Sequence, residues 1–251
     1  MATSSGPLDL SFIGSGNAFA PERCWSGFLL NGRYAFDAPP TLLVNLKKLG
    51  ADLAAIDAIF LSHFHADHFF GLPFLLLEYS YLTKRRTDLT IVGPPGVEEK
   101  VESLLEFGYP GMRSRELSYR RRYVEVQDGV QGEVSGLGYR AIEVNHGGDQ
   151  LRCFGYQVSV DGRSLAYTGD TAWCDGLVRL ASDVEVLVTD CTYADGHNGP
   201  EHLSFDEVRN LRQQIDPRTS VILTHLGGQQ TDGGLARVHV AQDFATFSFP
   251  S

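Results

Sequence analysis

Apolar residues recur along the chain with two different spacings. Residues 8–13 alternate and stop at Gly14-Ser15-Gly16, and residues 33–37 run into Pro39-Pro40. Both read as strands. Residues 41–49 place apolar side chains at 42, 43, 46 and 49, a helical spacing ended by Gly50. Residues 56–62 read as a buried strand that runs directly into His63. An apolar helix over 71–82, a strand over 89–92 and a helix over 96–107 follow. Between 117 and 144 the pattern turns to strands, with turns near Gly129 and Gly136. Strands over 153–160 and 164–168 flank Asp161-Gly162, a hairpin dipeptide. Then come a strand over 184–189, a helix over 205–214, a strand over 221–224 and a strand-like tail over 236–249. No short repeat is present. Two β-rich halves with helices outside permit an α+β fold, a four-layer αββα sandwich.

Composition narrows the picture. The chain has 251 residues, enough for one domain over 1–251, and its hydrophobic and charged fractions of 43% and 21% are those of an ordinary globular protein. A formal charge of -10 opposes general nucleic-acid binding, which needs a basic footprint. It does not oppose action on a small anion if bound cations supply the positive field. The four cysteines form no C-x-x-C pair and read as reduced thiols. Residues 1–10 lack the pattern of a signal peptide, and the longest apolar stretch, 69–77, is far short of the roughly 18 residues of a membrane span. The expectation is a soluble, cytoplasmic protein without a membrane partner.

The chemistry concentrates at Ser62-His63-Phe64-His65-Ala66-Asp67-His68. Four potential metal ligands fall within six residues after a buried strand. Imidazoles and carboxylates suit Zn²⁺ and similar divalent ions. In an extended segment His63 and His65 share a face, while Asp67 and His68 lie past a bend and can face a second ion.

This motif resembles the signature of the metallo-β-lactamase superfamily. Three further residues match that family's order, each after a strand: His146 in Glu143-Val144-Asn145-His146, Asp170 in Thr168-Gly169-Asp170-Thr171 and His225 in Leu223-Thr224-His225. The resemblance implies the metallo-β-lactamase fold and two divalent metal ions. His63, His65 and His146 would hold one ion, Asp67, His68 and His225 the other, and Asp170 would bridge them. Zn²⁺ fits these donors, as do Mn²⁺ and Fe²⁺. Asp37 resembles the family residue that orients a metal-bound histidine. Two neighbouring ions would acidify a shared water, and the resulting hydroxide would attack the substrate.

Ser11-Phe12-Ile13-Gly14-Ser15-Gly16-Asn17-Ala18, Phe154-Gly155-Tyr156 after His146, and Glu201-His202-Leu203-Ser204 before a helix are similar to the ribonuclease Z-like branch. That likeness implies a phosphodiesterase, often dimeric, with Asp67 and His202 as catalytic groups. His202 would assist proton transfer or steady the phosphate, and Ser204 would cap the helix. Only 23 residues separate His146 from Asp170, which leaves no room for the long tRNA-binding arm of that branch. A small-molecule or short phosphodiester substrate is therefore expected, and tRNA is not. A lactone or acyl-ester hydrolase, an arylsulfatase-type enzyme and a non-catalytic metal-binding protein are the competing readings. The basic residues Lys84, Arg85, Arg86, Arg113, Arg115, Arg120, Arg121 and Arg122 read as a solvated face. Of Phe64, Phe69, Phe70, Phe74 and Tyr79, most are expected in the core. His197 reads as a loop residue and His239 as a strand residue.

Overall fold

The computed structural model describes residues 6–197 and 199–250; residues 1–5, part of the stretch expected to carry no signal peptide, lie outside it. The first half of the chain contributes β1 (Leu8–Gly14), β2 (Gly27–Leu30), β3 (Tyr34–Phe36), β4 (Ala58–Phe60), β5 (Leu89–Gly93) and β6 (Arg121–Glu125) to one sheet in that order. The second half contributes β7 (Gln131–Val134), β8 (Leu137–Val144), β9 (Cys153–Val160), β10 (Arg163–Tyr167), β11 (Val186–Asp190), β12 (Ser220–Thr224) and β13 (Val238–Val240) to another. The last strand, β14 (Thr246–Phe249), returns to the first sheet and pairs antiparallel with β1. From β3 to β6, and again from β10 to β13, neighbouring strands run parallel.

Alternation along each strand sends side chains to two different layers. In β1, Leu8, Leu10 and Phe12 point between the sheets, while Ile13 points the other way. Phe28, Phe36 and Phe60, on three adjacent strands, stack between the sheets with ring centroids 4.7 and 5.1 Å apart. The outer face of the first sheet packs on α1 (Leu42–Lys48), then, beyond the short α2 (Ala66–Phe69), on α3 (Leu72–Tyr81) and α4 (Val97–Gly108). The outer face of the second sheet packs on α5 (Asp175–Ala181) and α6 (Phe205–Gln214). The result is the expected αββα sandwich.

Three elements depart from the sequence pattern. β2 is four residues long and buried on both faces, so no alternation announces it. α5 is a seven-residue helix between two strands and is equally short of signal. The tail is two strands in different sheets rather than one. The crossover is fixed by Asp243, whose carboxylate accepts from Ser15 N, Ser15 Oγ and Cys24 N at 2.9, 2.7 and 2.6 Å.

The basic run is not uniformly solvated. Arg85 is fully buried between the rings of Tyr79 and Tyr119, at 5.1 and 5.7 Å. Arg121 forms a two-pronged pair with Glu102 at 2.7 and 2.9 Å, and Tyr123 donates to the same carboxylate. Arg113, Arg115, Arg120 and Arg122 are exposed as expected. Removing one partner of a buried pair strands the other charge, which typically costs about 3–5 kcal/mol. Glu102→Ala is expected to lower the urea-unfolding free energy by about that amount; a loss well under 1 kcal/mol would mean that Arg121 finds solvent.

Candidate metal centre

The site forms where the parallel strands of both sheets end. β3 delivers Asp37, β4 leads into His63, β8 into His146, β10 into Asp170, β11 into Asp190 and β12 into His225. The His63–His68 motif is only partly extended. His65 caps α2, and α2 carries Asp67 and His68, so the expected bend is one helical turn. Asp37 and His225 both adopt left-handed backbone, with φ of 59° and 55°. Non-glycine residues take this conformation at a cost, commonly at functional sites. Gly169 has φ of 60°, and a Cβ there would lie 2.6 Å from the Ser62 Cβ, so only glycine lets the Asp170 loop approach the motif.

The structure brings all seven residues together. His63, His65 and His146 present donor atoms within 4.8 Å of one another, and so do Asp67, His68 and His225. Asp170 Oδ2 lies between the two groups, 3.2 Å from His68 Nε2 and from His225 Nε2 and 3.8 Å from His63 Nε2 and from His146 Nε2. The Nε2 atoms of His63, His68 and His225, and Asp170 Oδ1, are buried without a hydrogen-bond partner among the described residues. Burying unpaired polar atoms is costly. A convergent set of them is what divalent cations satisfy.

The outer partners of the rings explain why these lone pairs point inward. His68 Nδ1 donates to Asp37 Oδ2 at 2.8 Å, and His146 Nδ1 donates to the Glu201 carbonyl at 2.8 Å. Ser62 Oγ gives its one proton to Asp37, so it accepts from His63 Nδ1 at 2.9 Å. Thr192 Oγ1 gives its proton to Asp190 and accepts from His225 Nδ1 at 2.8 Å. With Nδ1 protonated in His63, His68 and His225, their Nε2 atoms are left bare toward the cavity, while His146 Nε2 lies 3.1 Å from His65 Nδ1. Burial, and then the charge of His68, hold His63 well below the ordinary imidazole range. Burial also disfavours a charge on His68, but Asp170 and Asp37 outweigh it and raise that pKa. A cation between the carboxylates takes the place of that proton. Burial opposes ionisation of Asp67 and Asp170, yet the surrounding imidazoles hold both carboxyls below their usual range.

Asp37 is fully buried and accepts from Ser62 N, Ser62 Oγ, His68 Nδ1 and Tyr167 OH. Asp37→Asn loses an acceptor for His68 and is expected to weaken metal affinity about 10–100-fold. A competitive chelator titration checks this; an unaltered affinity would reduce Asp37 to a packing role.

One group escaped sequence reasoning. Asp190 is fully buried at the end of β11. Its carboxylate accepts from Thr192 N and Oγ1, from Thr171 N and from His202 Nδ1 at 2.8 Å. The His202 ring stacks on His225, 5.0 Å apart at 20°, and lies 4.7 Å from the His146 ring. Burial disfavours its charge, but the Asp190 hydrogen bond and charge prevail and raise its pKa to about 9. Asp190 thus favours the imidazolium form of His202, whose ring faces both ligand groups. Ser204 caps α6 in a reciprocal box with Glu207, which fixes the segment carrying His202. The only sequence sign of Asp190 was an acidic residue ending a buried strand, as Asp37 also does.

Other candidates stand apart. His197 is exposed on its loop, and His239 lies in β13 against Phe247 and Phe249. Phe69 and Tyr79 are buried, but Phe70 and Phe74 are 42% and 45% exposed, so those two are not core. The four cysteines are free.

Comparison with known proteins agrees with the fold. The human tRNase Z, short form, superposes with a TM-score of 0.78 at 23% identity over 97% of this chain and all of that one. The metallo-β-lactamase fold protein YhfI from Bacillus subtilis gives 0.78 at 18% over the same shares. A ribonuclease Z from Methanosarcina mazei is 27% identical over 279 aligned positions, covering 90% of this chain and 89% of that protein. The chain is a hydrolytic enzyme of the metallo-β-lactamase superfamily, ribonuclease Z-like, and its His/Asp cluster is a candidate divalent-metal centre. Within that class the chain belongs to the family described as anti-Pycsar protein Apyc1, whose family model matches residues 8–246.

Proposed function

We propose that the chain is a dinuclear phosphodiesterase acting on a small or short phosphodiester, such as a cyclic nucleotide or a short RNA end. The observation that carries this is His202, whose ring is held by the Asp190 carboxylate against the two ligand groups that share Asp170. Bound divalent ions, Zn²⁺ or alternatively Mn²⁺ or Fe²⁺, would acidify a water and neutralise phosphate charge. His63, His65 and His146 would hold one ion and Asp67, His68 and His225 the other, with Asp170 placed between the two groups. Asp67, with 16% of its side chain exposed against 2% for Asp170, is the more accessible of the two carboxylates and would take a proton from the attacking water. His202 gives a proton to the departing oxygen, a task that needs a donor charged at neutral pH.

Substrate size follows from two features. The chain between His146 and Asp170 is taken up by β9 and β10, paired as a hairpin, which leaves no arm to hold tRNA. The net charge of -10 disfavours a long polyanion. Phe70, Phe74, Tyr81, Leu82 and Phe107 are exposed on or next to α3 and α4, and a second copy of the chain covering them makes a homodimer. Four free thiols suit a reducing, cytoplasmic setting. Among the described residues no helix is long and apolar enough to cross a membrane.

The test is hydrolysis of bis(p-nitrophenyl) phosphate by Zn²⁺- or Mn²⁺-loaded protein, followed by cyclic nucleotides, with a lactone, a thioester and an aryl sulfate in parallel. Turnover confined to the phosphodiesters is expected. Turnover confined to the other esters would move the assignment to an acyl or sulfate hydrolase on the same residues.

A further inference from the structure

The rings of the two ligand groups also meet behind the cluster, on a single carboxylate oxygen. His68 Nδ1 donates to Asp37 Oδ2 at 2.8 Å. Ser62 Oγ donates to the same oxygen at 2.9 Å while accepting from His63 Nδ1 at 2.9 Å. Tyr167 OH donates to that oxygen as well, at 2.6 Å. Oδ2 thus takes three donors on two lone pairs, and two of the three lead to rings of different ligand groups. Asp37 Oδ1 is engaged separately, by Ser62 N at 2.7 Å.

Among the described residues, the outer partners of His146 and His225 do not join the groups. His146 Nδ1 ends on the Glu201 carbonyl. His225 Nδ1 reaches Thr192 Oγ1 and through it Asp190, whose other oxygen leads to His202, outside the seven candidate ligands. The meeting point at Asp37 is closed and well held. Asp37, Ser62, His63, His68 and Tyr167 are all buried, so these bonds act at low dielectric, where linked hydrogen bonds polarise one another. Phe154 N donates to Ser62 O at 2.9 Å, and the Gly169 loop closes on the Ser62 side chain. The Tyr167 ring makes edge contacts with Phe28 and Phe36, with centroids 5.3 and 5.9 Å away.

We infer that Ser62 and Tyr167 are positioning residues that couple the two ligand groups through Asp37 Oδ2, so that a ring of one group responds to the state of the other. With an ion on its Nε2, His63 is a stronger donor at Nδ1. Ser62, accepting more strongly, also donates more strongly and leaves less of Oδ2 for His68. His68 is then the less basic ligand, since a carboxylate behind a ring raises its basicity. By this route each ion loosens the hold on the other. The inference rests on the reading of the cluster as two ion groups and adds how those groups are linked.

Proton NMR of the Zn²⁺-loaded protein carrying isotope-labelled histidine reads the Nδ1–H signals of His63 and His68. Tyr167→Phe keeps the ring and removes one donor from Oδ2. Both signals are expected to move downfield, because the remaining bonds strengthen. Ser62→Ala is expected to abolish the hydrogen-bonded His63 signal and to move the His68 signal downfield, although the lost hydroxyl bonds to Asp37 and not to that ring. In a chelator titration Ser62→Ala is expected to weaken one of the two ions about 10–100-fold. If Ser62→Ala does not fold, Tyr167→Phe decides alone. A His63 signal that stays in place in Tyr167→Phe, or a His68 signal unmoved in Ser62→Ala, would overturn the coupling. A protein that holds two ions but shows no such shifts loses the coupling alone. One that holds a single ion and shows the shifts keeps the link between the rings and loses the dinuclear reading.

Discussion

Asp170→Asn is expected to lower kcat/KM for a phosphodiester by at least about 10²–10³-fold, the scale on which preorganised charge stabilisation acts. The side chain is 2% exposed, and its Oδ2 lies within 3.8 Å of four imidazole nitrogens. An amide keeps the shape but presents one neutral oxygen and one N–H donor to a cavity that needs an anionic acceptor. Asn at this position therefore weakens both ion sites together, and added metal restores little activity. Steady-state kinetics across a metal titration checks this. Activity within a few-fold of the parent at saturating metal would show that Asp170 fills space and does not join the two groups.

His202→Ala follows with a different signature. Loss of a positioned general acid typically costs about 10²–10⁴-fold in kcat. Metal content should stay at the parent's level if, as proposed, the two ion-holding groups exclude His202, because His63, His68, His146 and His225 keep their own outer partners. Asp190→Asn acts through His202. It removes the anion that offsets burial, so the imidazole drops below about 9 and less of it is protonated at neutral pH. The sign is fixed: a pKa raised in the folded state is returned toward its ordinary value when its carboxylate is lost. A kcat for His202→Ala close to the parent's would assign proton delivery to another group. A fall in bound metal would make His202 part of the ligand set.

How much of this is legible in the chain depends on how local the information is. The four donors from His63 to His68 are contiguous, so the motif declares itself. His146, Asp170 and His225 are single residues in ordinary strand-end contexts, and only their shared order marks them. Asp190 could not be found this way. Its role arises because β11 lies between β10 and β12, which sets its carboxylate among Thr171, Thr192 and His202. Strand order is a non-local property, and periodicity does not encode it. The same holds for the tail, where two short strands with similar composition join different sheets. Charge runs are equally ambiguous: Arg120, Arg121 and Arg122 look alike in sequence, but only Arg121 is half-buried, paired with Glu102 across α4 and β6. Longer helices such as α4 and α6 fall within a residue of where the sequence pattern places them.

The central claim is that two groups of ligands, sharing Asp170, each hold an ion. Elemental analysis of the purified protein after loading with Zn²⁺ and removal of excess metal tests it most directly, with Asp67→Ala and His65→Ala measured beside it. Two ions per chain and about one in each variant are expected, since each substitution opens a different group. A parent that retains a single ion, or variants that both keep the parent's content, would contradict it.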